Sequence, residues 1–296
     1  MKSIVSYPDR GNYGKNSYRG NCSGKLIEDI ISQYNLRQLS DFMVGSGTTE
    51  DVVRAKGIEG SFADLNRGYD MMSMDIPERS ENIFWHPPYH DMIVYSGQQY
   101  SDREVERKYG FDPKVNDLSR CASWDEFVEK MNYCMFKQFA SLENGGRMFV
   151  LMGDMKRKGK LYSMLCDIAK PGTLEQIIIK AQHNCVSDRS SYSNLNFVPI
   201  VHEYLMVVKK ESGLIVPMTY TKRVKVDLRM SKAASWRDII HSILESGQQT
   251  LESLYHQMEA TPKATANPHW REKIRQTVQN TRYFRRVAEG TYALAA

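Results

Sequence analysis

Residues 36–57 read "LRQLSDFMVGSGTTEDVVRAKG". A short apolar segment runs into Gly45-Ser46-Gly47, and a helix is expected from Thr48, with Glu50 and Asp51 favouring its N-terminal dipole. Glycines at this point let the backbone turn sharply and approach a ligand closely. Strand, glycine turn and helix in that order form the opening unit of a doubly wound sheet. Upstream, "KLIEDIISQYN" from Lys25 spaces Leu26, Ile27, Ile30 and Ile31 as one helical face. Downstream, "IEGSFADLN" reads as a second strand ending at Asp64, and "ENIFWHPPYHDM" as a later strand stopped by Pro87-Pro88. An amphipathic helix is expected over Trp124–Leu142, then a turn and an apolar strand in "NGGRMFVLMGD". "LYSMLCDIAKPG" reads as another helix, and "LEQIIIKAQHN" and "FVPIVHEYLMVVKK" as the last strands. This alternation predicts an α/β domain with a mainly parallel sheet.

The chain has 296 residues, 41% hydrophobic and 25% charged, which suits a large buried core rather than disorder. Its longest apolar stretches, 147–153 and 204–208, fall far short of the roughly 18 residues of a membrane span. The N-terminus is polar and lacks the apolar centre of a secretory signal, so no membrane partner and a cytoplasmic location are expected. Cys22, Cys121, Cys134, Cys166 and Cys185 are odd in number and widely spaced, which predicts reduced, structural thiols and no metal. Net charge is +5. From Thr221 onward 13 Lys/Arg face 7 Asp/Glu, so the basic surplus sits in the tail, as in a segment that meets phosphate. Composition divides the chain into a domain over 1–212, a linker over 213–232 and a small domain over 233–296.

Two carboxylates follow the glycine turn. Asp64, at the end of the second strand, is positioned to accept from ribose hydroxyls, and Asp75 to accept from an adenine amine. Asp41 through Thr49, "DFMVGSGTT", together with His86-Pro87-Pro88-Tyr89, resembles the S-adenosylmethionine-dependent DNA amino-methyltransferases. Phe42 stands where that family's cofactor turn has proline, and His86 where its catalytic corner has Asp, Asn or Ser. The resemblance spans roughly residues 7 to 210. It extends to "YRGNCSGKLIEDII", which is similar to the segment that closes over the methionine part of the cofactor. It implies a Rossmann-like methyltransferase fold and S-adenosylmethionine as cofactor. The implied cofactor residues are Asn21, Asp41, Met43, Gly45, Ser46, Gly47, Thr48, Thr49, Asp64 and Asp75. His86, Pro87, Pro88 and Tyr89 are the implied catalytic residues.

The implied reaction methylates the exocyclic nitrogen of an adenine flipped out of duplex DNA. Cytosine N4, an RNA substrate and an inactive cofactor-binding regulator are the alternatives. Pro-Pro directs a carbonyl inward and Tyr89 offers a stacking face. At His86 three readings stand open: a neutral imidazole accepts the amine proton, His90 or Asp91 accepts instead, or the site only binds. The first predicts a single-turnover rate that falls below about pH 6.5, the pKa of an ordinary imidazole. His202-Glu203-Tyr204 matches the family's structural His-Glu-Tyr motif, so with His183 it is not expected to hold a metal.

In the tail, "SWRDIIHSILESGQQTLESLYHQM" predicts two helices with Thr250 as N-cap. A third helix bears Arg271, Lys273 and Arg275, and a hairpin turns at Gly290. Three helices and a hairpin make a winged helix-turn-helix, with Arg271, Lys273, Arg275, Arg282, Arg285 and Arg286 as candidate DNA contacts. A dimerisation unit, giving a homodimer, is the alternative. Trp236, Tyr255 and Trp270 read as core.

Overall fold

A sheet of five named strands runs in the order β1 (Ile4–Ser6), β7 (Thr173–Ala181), β8 (His202–Lys209), β3 (Leu142–Met152), β2 (Ser80–Trp85). Beyond β2 the segment at Ser40 pairs in parallel with Ile83, and Asp41 pairs in parallel with Phe62. The two strands expected around the glycine turn are thus present only as isolated bridges that extend the sheet. Among these neighbours only β8 is antiparallel. The expected α/β, Rossmann-like architecture with a mainly parallel sheet is what the computed structural model shows. It describes residues 1–183 and 197–295; Cys185 lies outside them.

Burial on both faces explains why the central strands read as unbroken apolar runs. Ile83, Trp85, Met148, Val150, Met152 and Met206 pack on one side with Phe127, Met131 and Met135 of α4 (Trp124–Ser141). Phe84, Phe149, Leu151, Leu205 and Val207 pack on the other with Leu26, Ile27 and Ile30 of α1 (Gly24–Tyr34) and Val52 and Val53 of α2 (Thr48–Lys56). Alternate residues of one strand therefore belong to different cores. Truncating Phe149, which is fully buried, to alanine would cost about 3–5 kcal/mol.

Local chemistry sets the helix ends. Gly47, at φ 96°, caps α2 and its carbonyl accepts from Asp51 N at 2.9 Å; Gly57, at φ 65°, ends the helix. Ser123 accepts from Glu126 N to start α4. One short helix not anticipated from sequence, α3 (Asp102–Tyr109), follows the Pro-Pro corner.

"LYSMLCDIAKPG" departs from the helix expected there. Asp154–Arg157 (β4) pairs with Lys160–Ser163 (β5) across Lys158-Gly159, leaving a helix of only four residues, α5 (Met164–Asp167). Lys158 and Gly159 both take left-handed φ, 48° and 76°. Such a turn matches the twist of a tight hairpin, so the pairing overrides the local helical spacing. Lys170–Pro171 (β6) then pairs with Met218–Thr219 (β9).

The described chain divides into two compact units, Met1–Thr221 and Lys222–Ala296. The second holds α6 (Trp236–Leu244), β10 (Gln249–Thr250), α7 (Leu251–Met258), the short α8 (Pro262–Thr265), α9 (Trp270–Val278), β11 (Phe284–Ala288) and β12 (Thr291–Leu294). Its sheet order is β10-β12-β11, one strand more than the expected hairpin. Ser235 and Asp238 form a reciprocal capping box on α6, and Thr250 caps α7. Ile239, Ile240, Leu254, Met258, Ile274 and Phe284 form its core, with Trp236, Tyr255 and Trp270 packed against it. No helix among the described residues is long and apolar enough to cross a membrane.

Candidate active site

A cleft opens where β2 ends and the glycine turn begins. That is the position at which open α/β sheets bind ligands. Asn21, Asp41, Met43, Gly45, Thr48, Thr49, Asp64, His86 and Pro88 line it. Ser46 and Gly47, expected at the cofactor, do not line it; Ser46 Oγ donates to Asn21 Oδ1. Asp75 is exposed and outside the cleft; the buried carboxylate on the wall is Asp70, which accepts from Met72 N, Ser73 Oγ and Asn116 Nδ2.

Asp41 anchors the turn. Its carboxylate accepts from Met43 N at 2.9 Å and from Thr49 Oγ1 at 2.6 Å. Burial pushes its pKa up to about 7 against the pull of those two donors. Asp64 is also buried, accepting from Gly45 N at 2.8 Å and Asn66 N at 3.0 Å, and burial raises its pKa despite these bonds. Two further polar atoms on the wall, Thr48 Oγ1 and Tyr69 Oη, are buried without a hydrogen-bond partner among the described residues. Such atoms cost about 1–3 kcal/mol each unless a ligand or water satisfies them. Unsatisfied hydroxyls, paired carboxylates and a glycine cradle fit an adenosyl cofactor, whose ribose and amine both bring donors. S-adenosylmethionine meets that description.

The corner after β2 is built differently from the expectation. Pro87 is buried and Pro88 lies on the cleft wall, but Tyr89 does not line it. The Tyr89 ring lies over Gly153, where an added Cβ would come within 2.6 Å of it. Its hydroxyl donates to Glu203 Oε1 at 2.8 Å and stands 3.0 Å from His86 Nε2. Glu203 Oε2 receives Lys180 Nζ at 2.6 Å.

This chain of contacts fixes a tautomer. A Tyr89 hydroxyl whose proton goes to a carboxylate can only accept from His86, so Nε2 carries the imidazole proton and Nδ1 keeps its lone pair. Among the described residues Nδ1 has no protein partner. Glu203 ionises below the usual carboxylate range: burial opposes this, but the Lys180 ammonium, the nearby His86 and the Tyr89 hydroxyl outweigh it. His86 is pushed down to about 4 by burial, assisted by Lys180, although Glu203 at 4.0 Å pulls the other way. The imidazole is therefore neutral throughout the physiological range, and the fall expected below about pH 6.5 moves to about pH 4.

His90 and Asp91 are committed elsewhere. His90, at φ 50°, lies 3.0 Å from the Cys121 carbonyl through Nε2 and 2.9 Å from Asp91 through Nδ1; Asp91 also pairs with Arg157. Neither lines the cleft. His183 bonds Ser6 Oγ and His202 bonds Tyr204 Oη, each at 2.8 Å.

Several wall residues gave no signal in the sequence: Tyr95, Tyr100, Asp70 and Asp117. Tyr18 and Tyr95 stack with ring centroids 5.8 Å apart, and Asp117 is buried among the Ser96 and Ser119 donors. Spacing along the chain does not distinguish them from surface polar residues.

In the C-terminal unit Arg271, Lys273 and Arg275 are exposed on α9, and Arg282, Arg285 and Arg286 are exposed at the hairpin. Arg271 lies over the Trp270 ring at 4.6 Å and Arg275 pairs with Glu272. Arg285 and Arg286 are neighbours on β11 and so point to opposite faces.

No protein-family model and no curated protein matches the chain. Among solved structures it is similar to TTHA0409 of Thermus thermophilus, provisionally a DNA modification methylase, at 13% identity over 64% of this chain and 57% of that one, with TM-score 0.27. It is similar to TrmN of Thermus thermophilus at 14% identity over 65% and 50%, TM-score 0.28. TehB of Haemophilus influenzae follows at 9% identity over 63% and 62%, TM-score 0.31. This chain thus spans only 57% and 50% of the first two.

Proposed function

We propose that the chain is an S-adenosylmethionine-dependent amino-methyltransferase that acts on DNA, at the exocyclic nitrogen of adenine. One observation carries the reading: His86, whose Nε2 is held by the Tyr89 hydroxyl, lines the same cleft as Asp41, Gly45, Thr48 and Thr49. An amine lone pair is conjugated into its base, and an acceptor for its proton frees it to attack. When bound, the cofactor supplies an electrophilic methyl on sulfonium sulfur.

Gly45 and the buried Asp64 hold the adenosyl end, with Thr48 and Tyr69 offering their free hydroxyls. Pro87 and Pro88 fix the backbone at the corner so that His86 does not swing away. His86 Nδ1 takes the amine proton, and the resulting imidazolium stands 4.0 Å from the Glu203 carboxylate, which stabilises it. Tyr89, whose hydroxyl holds Nε2, acts through His86. Positioning of the two reactants in one cleft provides most of the acceleration.

The C-terminal unit is read as a winged helix that docks on duplex DNA, α9 supplying Arg271, Lys273 and Arg275 and the hairpin Arg282, Arg285 and Arg286. Transfer of tritiated methyl from the cofactor to unmethylated DNA, followed by digestion and separation of nucleosides, tests the whole reading. Label in methyladenosine that disappears in His86→Ala supports it. Label in methylcytosine moves the target base, and label in RNA alone moves the substrate. Cofactor binding without any transfer leaves an inactive binder.

A further inference from the structure

Between the catalytic corner and the last strands the chain inserts "MKRKGKLYS", residues 155–163, with Lys156, Arg157, Lys158 and Lys160 and no acidic residue among them. Together with the buried Asp154 these residues form the β4–β5 hairpin, and Lys158-Gly159 make its tip. Its base is rigid. Met155 is buried and Tyr162 packs on the α4 core, while Gly153, one residue before β4, lies beneath the Tyr89 ring.

Its flank is tied to the corner as well. Arg157 grips Asp91 with two guanidinium contacts of 2.5 Å, and Asp91 stands two residues after Tyr89. Lys156 Nζ donates to the Val198 carbonyl at 2.7 Å. Two of the four cations are thereby spent on holding the hairpin in place. The other two are not: Lys158 and Lys160 are exposed, and among the described residues neither pairs with a carboxylate. Lys160 Nζ lies 4.7 Å over the Tyr162 ring, which orients it without neutralising it. Both ammonium groups are thus left available to an anion.

We infer that the β4–β5 hairpin is a nucleic-acid contact surface, with Lys158 and Lys160 binding backbone phosphates of the strand that delivers the target nucleotide to the cleft. A base entering the cleft brings its own flanking phosphates with it, and the hairpin is fastened to Tyr89 and Asp91, one and three residues after Pro88 of the cleft wall. The surface carries no base-reading geometry, so it positions rather than specifies. It is distinct from the C-terminal cations in residues and in fold unit. The choice of nucleic acid rests on the proposed methyltransferase reading.

The test uses the full chain with Lys158→Asn and Lys160→Gln together, asparagine being chosen because it tolerates the left-handed φ at 158. Anisotropy with a short fluorescein-labelled duplex carrying one mismatched adenine gives affinity from about 50 to 200 mM salt. Each lost phosphate contact lowers the slope of log K against log salt by about 0.9 in magnitude, so the double variant should lose about 2. Cofactor binding by calorimetry should match the wild type. An unchanged slope overturns the inference, as does displacement of the duplex by poly-glutamate at equal charge, which would mark a general polyanion surface. Wild-type protein that binds DNA through the hairpin yet transfers no methyl supports the surface and sinks the catalytic reading. Methyl transfer with an unchanged slope does the reverse.

Discussion

The Tyr89 hydroxyl donates to Glu203 at 2.8 Å while lying 3.0 Å from His86 Nε2, so a carboxylate 114 positions away decides which imidazole nitrogen is free. Removing only the hydroxyl should expose this. Tyr89→Phe is expected to lower the single-turnover methyl-transfer rate by about 10-fold or more, because His86 can then hold its proton on either nitrogen, while His86→Ala removes the base and loses about 100- to 10,000-fold. Cofactor affinity should not change in either variant. A Tyr89→Phe rate equal to wild type would remove the hydroxyl from the mechanism.

Neutrality of His86 gives a pH signature. With its pKa pushed down to about 4, the single-turnover rate should be flat from about pH 5.5 to 8 and fall only on approach to pH 4. The same group affects folding. A base whose folded pKa lies below its unfolded value binds fewer protons when folded, so stability is lost as pH falls from about 6.5 towards 4, by up to about 3 kcal/mol. Urea melts of wild type and His86→Ala across that window check the sign: the variant should lose the slope.

Asp41 works in the opposite direction. Burial raises its pKa to about 7, so the folded state holds the proton more tightly and stability declines as pH rises from about 4 through 7. Asp41→Asn should therefore stabilise the ligand-free protein at pH 8, by at most about 4 kcal/mol, and scarcely at pH 4. Equal effects at both pH values would show that the gain is not electrostatic.

Lys180 and Glu203 form a buried pair, each less than 9% exposed. Lys180→Met alone leaves the carboxylate uncompensated and should cost about 3–5 kcal/mol. Lys180→Met with Glu203→Leu should recover most of that loss in stability while methyl transfer stays impaired. Recovery of activity with the double variant would dismiss Glu203 from the site.

On α9, neutralising Lys273 and Arg275 to glutamine should weaken duplex binding at all sequences alike and reduce the salt slope by about 2. Affinity unchanged across salt concentrations would assign that helix to packing instead.

What the sequence disclosed was local. The turn at Gly45-Ser46-Gly47, the stop at Pro87-Pro88 and the N-cap at Thr250 each depend on residues within a few positions, and each takes the expected place. Asp70 could not be separated from Asp75 by spacing, because burial rather than position decides which carboxylate reaches the cleft. Leu161 and Tyr162 read as helical until a left-handed pair at Lys158-Gly159 folds them back on β4. The Tyr89–Glu203–Lys180 contacts join three distant segments, and no periodicity encodes such a meeting.

Among the described strands of the large sheet, β8 alone runs against its neighbours. In a sheet with every strand aligned, the first residues of a strand arrive at the edge opposite the catalytic corner. Reversal brings Glu203, at the beginning of β8, level with Lys180, near the end of β7, and both beside the end of β2. An ion pair that an all-parallel sheet would split between opposite edges is thereby closed within one edge, next to His86.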